Sequence, residues 1–121
     1  MNTISERLIP YRAFLAQEKE KLAQQIAQLE AQNRQDEANL AKIRLNIFGV
    51  FETVAAADEK AAANWEDFCI RYEPRFVTLT APWNARLEKA LRNSDTLTRF
   101  TEEVKLSAAK RIQAAFLSVK G

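Results

Sequence analysis

The chain has 121 residues, 47% of them hydrophobic, and a formal net charge of +2 from 18 Lys and Arg against 16 Asp and Glu. It has no His, one Cys, two Gly and three Pro. That inventory excludes the common zinc sets, a Cys–His nucleophile pair and a glycine-rich phosphate loop. No catalytic, metal-binding or cofactor-binding residue is therefore assigned, and the chain is not expected to be an enzyme.

So few turn formers favour few, long elements, and the length suits one domain. A single Cys gives no disulfide framework and fits a reducing compartment. No basic region followed by an apolar run opens the chain, and no stretch approaches the roughly 20 apolar residues of a membrane span. A cytoplasmic location is expected.

Thr3 and Glu6 have capping-box spacing, so a helix is expected from Ile4. Pro10 suits the first turn of a helix better than its interior. Tyr11, Phe14 and Leu15 make an apolar cluster just after it.

From there the spacing predicts one long coiled-coil-like helix over about 10–73. Leu8, Leu15, Leu22, Leu29, Ile43 and Val50 recur at seven residues or its multiple. Ile26, Leu40, Ile47 and Val54 form the second register of a heptad seam. Asn33 and Asp36 are polar gaps in it. Between Ile47 and Phe51 the phase shifts, and Gly49 lies there, which marks a stutter or thin spot. The rival expectation breaks the helix at Ala57–Asp58, with Asp58 as N-cap. Phe51, Val54, Trp65, Phe68 and Tyr72 carry the shifted run onward. Glu52, Glu59, Glu66 and Glu73 recur every seventh residue and are expected on a solvated face, with intrahelical partners such as Asp67–Arg71. Cys69 is expected to be a small buried thiol.

Pro74 ends the long helix. Residues 75–80 read as an ordered connection packed through Phe76 and Leu79. Ala81-Pro82 opens a helix over about 82–92. Asn93-Ser94-Asp95 is the clearest turn signal, with Ser94 or Asp95 capping a last helix over about 95–119. Leu97, Phe100, Val104, Ala108, Ile112, Ala115 and Val119 give that helix an apolar face. The expectation is an all-α fold in a single domain, 1–121. Residues 10–45 form a coiled-coil-like arm, and 46–121 form a bundle in which the two later helices pack on the C-terminal half of the long one.

The seam formed by Leu22, Ile26, Leu29, Asn33, Asp36, Leu40, Ile43 and Ile47 needs a partner helix. An antiparallel homodimer would set Asn33 against Asp36, Leu29 against Leu40, Ile26 against Ile43 and Leu22 against Ile47. The expected function is a non-catalytic, self-associating helical module that acts through protein–protein contact, as adaptor, scaffold or accessory subunit.

The alternative is a small nucleic-acid-associated regulator. Residues 82–121 carry a net +4 where residues 1–81 carry −2. Arg86, Lys89 and Arg92 offer a small basic face, and Arg111 lies at the edge of the last apolar face. Its plainer role is a stem packed on apolar surface with its head in water. A membrane-surface role for the last helix is opposed by Glu102, Glu103 and Gln113 on its polar side.

Overall fold

A computed structural model describes residues 3–121, and these form helices joined by short turns, with no strand among them. The elements are α1 (Ile4–Arg7), α2 (Ile9–Ala31), α3 (Gln35–Ala61), α4 (Trp65–Tyr72), α5 (Arg75–Thr78), α6 (Ala81–Arg92) and α7 (Thr96–Lys120). The all-α expectation holds. The expected continuous helix over 10–73 does not: it is broken twice, and its first half folds back on its second.

The first break is at Gln32–Arg34. Asn33 takes a left-handed conformation with φ 58°. The Arg34 N–H donates to the Leu29 carbonyl at 2.9 Å, and the Asn33 N–H to Glu30 at 3.1 Å. Together these make a Schellman cap, and Asn is the residue after Gly that adopts its left-handed position most readily. The polar gap in the seam is therefore a helix terminus and not a buried register marker. Asp36 sits in the first turn of α3, where a carboxylate suits the positive end of the helix dipole.

The second break is at Ala62–Asn64. It comes four residues after the rival expectation placed it, and the cap is Asn64, not Asp58. The Asn64 side chain accepts the Asp67 N–H at 2.9 Å. Asp58 stays inside α3 and is buried. Gly49 causes no break, because α3 runs through it unbroken. The connection at 75–80 is largely the single turn of α5, and Phe76 is buried from it as expected.

Four other termini follow the sequence. Thr3 and Glu6 form the capping box of α1. Pro10 lies in the first turn of α2 and Pro82 in that of α6. Asp95 caps α7 by accepting the Thr98 N–H at 3.2 Å, directly after Ser94, which has φ 54°.

α2 and α3 form an antiparallel hairpin, and so do α6 and α7; α7 also packs against α3 and α2. On α3, Ala38, Ala41, Leu45, Phe48, Glu52 and Ala55 fall on one side at 100° per residue. Contacts to α2 leave from that side: Phe48 packs on Phe14 at 6.2 Å, and Lys19 meets Glu52 at 2.9 Å. Ala38 and Ala41 are fully buried there, where small side chains let two backbones approach closely. The seam line Leu40, Ile43 and Ile47 lies at least a quarter-turn round the helix. Ile47 is buried, whereas Leu40 and Ile43 are half-buried. The turn at Asn33 thus rephases the stripe. Leu22, Ile26 and Leu29 are buried within their own chain, and Asn33 and Asp36 are exposed at the turn.

The core centres on Phe116 of α7. Its ring lies 5.1 Å from Tyr72, 5.6 Å from Tyr11, 6.0 Å from Phe76 and 6.2 Å from Phe68. One aromatic cluster thereby joins α2, α4, α5 and α7. Edge-to-face pairs such as Tyr72–Phe116 each add about 1 kcal/mol beyond area burial.

Candidate interaction surface

Buried polar groups are the first place to look for chemistry, and here each is tied into the fold. The Tyr72 hydroxyl donates to the Phe51 carbonyl at 3.3 Å and accepts the hydroxyl of Tyr11. Burial pushes both phenols well above their ordinary range; for Tyr72 the neighbouring Tyr11 adds to it. Asp58, 4% exposed, is gripped by Arg75 through Nε at 3.2 Å and a terminal nitrogen at 3.0 Å. That carboxylate raises the Arg75 guanidinium above its usual value.

Cys69 is buried and free, as expected. Desolvation lifts its thiol above the usual range, more than the charges of Lys120 and Arg7 draw it down. A thiol so shifted is a poor nucleophile at neutral pH.

Glu102 is 2% exposed, on the face of α7 turned to α6. Arg86 Nε donates to its Oε1 at 2.6 Å, and the Lys105 ammonium donates to Oε1 at 3.2 Å. Its Oε2 lies 3.1 Å from Lys105 but makes no hydrogen bond. Lys105 also approaches the Trp83 ring at 5.9 Å.

The basic residues singled out from sequence divide in two. Arg86 is occupied by Glu102. Arg111 crosses to α2, 2.5 Å from Glu18 and 5.7 Å from the Phe14 ring centre. Its stem lies by Phe14 as expected, but its head, expected in water, is paired with an acidic residue of the same chain. Lys89 and Arg92 are exposed, and neither has a carboxylate within 4.0 Å among the described residues.

The every-seventh glutamates are not a plain solvated face. Glu52 pairs with Lys19, Glu59 with Arg12 and Glu73 with Lys120, so three of the four stitch one helix to another. The Glu73 carboxylate raises Lys120 above its ordinary value. Asp67–Arg71 does form within α4, at 3.2 Å. Their seven-residue spacing carries no sign of what lies opposite, because the partner helix is set by turns outside the series.

Two features were not legible in the spacing. The apolar stripe of α7 is continuous in sequence but not in cover. Ala108, Ile112 and Phe116 are buried, whereas Leu97 is 76% and Phe100 49% exposed. Val104, between them, is half-buried. Periodicity marks the stripe and says nothing of where the neighbouring helices stop covering it. The second feature is a cleft of about 640 Å³ where α5 and α6 meet α7. Phe76, Leu87, Leu106 and Ala109 line it, with Glu103 and Lys110 at its edge.

Among the described residues no helix is long and apolar enough to cross a membrane. No protein-family model, no curated protein and no solved structure matches the chain.

Proposed function

We propose that the chain is a non-catalytic helical module that acts through protein–protein contact, as an adaptor, scaffold or accessory subunit, and that it associates with itself. The observation that carries this is the uncovered line on α7. Leu97 and Phe100 stand exposed on the same stripe that, further along α7 at Phe116, supplies the centre of the core. A surface line of large apolar residues on an exposed helix is a contact surface in want of a partner helix.

Self-association through the heptad seam loses its reason, because Leu22, Ile26 and Leu29 are already buried against the rest of the chain. The α7 line takes its place. Two such helices crossing antiparallel meet as like patches about a two-fold axis. The nucleic-acid alternative has less to stand on: Arg86 and Arg111 are spent on Glu102 and Glu18, which leaves Lys89 and Arg92.

The test is light scattering on wild type and on a Leu97→Asp, Phe100→Asp double variant, with circular dichroism as control. The expected result is an oligomeric wild type and a monomeric variant of equal helicity. A monomeric wild type would overturn the self-association, and a catalytic turnover by the purified chain would overturn the whole proposal. Retention on heparin that falls steeply with salt, lost in Lys89→Glu with Arg92→Glu, would favour the nucleic-acid alternative instead.

A further inference from the structure

We propose that α6 is a detachable cover on α7, latched by the buried carboxylate of Glu102, and that it opens as a unit while the rest of the fold stays closed.

Four observations support it. First, α6 is thinly anchored: of its twelve residues only Ala90 is buried, with Trp83 and Leu87 half-buried. Second, its packing is chiefly on α7, with α5 touching its start. By contrast, the C-terminal half of α7 is fixed independently by Ile112 and Phe116, so α7 can stay seated when α6 leaves. Third, the cleft lined by Phe76, Leu87 and Leu106 runs beside the α6–α7 contact, so α6 does not fill its own seat. The side chains lining that open cleft meet solvent there, so they add no packing between α6 and α7 over that stretch.

Fourth, the middle of the contact is ionic. Glu102 meets Arg86 from α6 and Lys105 from its own helix. Desolvating a carboxylate offsets much of what the ion pair gains, whereas opening returns all three charges to water. An apolar contact of the same size would lose its whole gain on opening. The latch therefore specifies where α6 sits more than it strengthens the seat. Segments with few buried contacts and an exposed hydrogen-bond ladder are those that open below the global unfolding free energy. The exposed turn at Ser94 is where α6 parts from α7; it is held by the Asn93 N–H to the Lys89 carbonyl at 3.0 Å and the Asp95 N–H to the Ala90 carbonyl at 2.9 Å, and the Asp95 cap keeps α7 in place beyond it.

With α6 swung out, Leu106 and Ala109 are uncovered on a second side of α7, facing away from Leu97 and Phe100. The opening itself does not depend on the contact surface at Leu97 and Phe100.

Amide hydrogen exchange on the full chain tests it. The expected pattern is faster exchange at 84–92 than at Phe48–Phe51 or Ile112–Phe116, by roughly a hundredfold or more. Glu102→Gln and, on the other side of the latch, Arg86→Met should each raise exchange at 84–92 by roughly tenfold, leaving the Phe116 segment unchanged. Exchange of α6 in step with α3, or a rise spread evenly over all helices in both variants, would overturn the proposal. Exchange is read within one chain, so a failure of self-association leaves this result standing or falling by itself.

Discussion

The backbone N–H of Arg34 donates to the carbonyl of Leu29 at 2.9 Å, and that bond turns a seam into a hairpin. It requires Asn33, between them, to hold φ 58°. Asn33→Gly should be neutral or slightly stabilising, because Gly enters that conformation without strain. Asn33→Val should cost about 1–2 kcal/mol, from its Cβ against the following carbonyl. Urea unfolding followed by circular dichroism measures both. Equal stability of the two variants would place the turn elsewhere.

Tyr11 and Tyr72 are the only two tyrosines, and both are buried. Their phenols are raised in the folded state, so the folded protein holds its protons while the unfolded chain loses them near pH 10. Their contribution to stability is full below about pH 10 and falls as pH climbs beyond it. Tyrosinate absorbance at 295 nm should accordingly stay flat through the ordinary phenol range and rise only together with the loss of helix. A smooth non-cooperative titration near pH 10 would show that at least one ring is open to water.

Removing the Tyr72 hydroxyl strands the buried Tyr11 hydroxyl, while the Phe51 carbonyl keeps its helical bond within α3. Tyr72→Phe should cost about 2 kcal/mol, the desolvation penalty of a buried group left unpaired. Tyr11→Phe should cost less, since Tyr72 keeps its bond to Phe51. The double variant should be less destabilised than the sum of the singles, by equilibrium unfolding.

Gly49 lies within α3, and a Cβ built on it meets nothing within 4 Å. Gly49→Ala should stabilise the protein by about 0.5–1 kcal/mol, through helix propensity and a less mobile unfolded chain. A rise in the thermal midpoint checks it. A fall would mean that α3 needs to bend there.

Asp67 and Asp95 are held below the ordinary carboxylate range. For Asp67 the main cause is the Ala63 N–H, with Arg71 next; for Asp95 it is the Thr98 hydroxyl and then the Thr98 N–H. A lowered carboxyl contributes stability that is present above its unfolded value and lost as pH falls through the folded one. The acid limb of the stability curve should therefore begin below about pH 4 and flatten in Asp67→Asn with Asp95→Asn. Chemical denaturation at a series of pH values measures it.

Most helices were legible because their ends carry local chemistry. Thr3 with Glu6, Pro82, and Ser94 with Asp95 each mark a boundary through atoms within four residues. The two breaks in the expected long helix are local as well, at Asn33 and Asn64, but an unbroken heptad across Asn33 masked the first. Both of its meanings, a polar seam position and a left-handed cap, use the same residue. What spacing could not supply was partnership between distant segments. Arg111 finds Glu18, Arg75 finds Asp58 and Glu73 finds Lys120 only after the turns have set the helices side by side. The uncovered state of Leu97 and Phe100 is likewise a property of where other helices end.

The Phe116 cluster also sets a schedule for synthesis. Tyr11, Phe68 and Tyr72 are made early, yet the ring they close around arrives only after α5, α6 and most of α7. At about 5–20 residues per second the ribosome takes seconds to cover that interval. Throughout it the α2–α3 hairpin can form, while its aromatic neighbours lack their centre. The nascent chain thus carries an open apolar ring until its final helix emerges, and a stall within α7 would leave that ring as bait for chaperones and proteases.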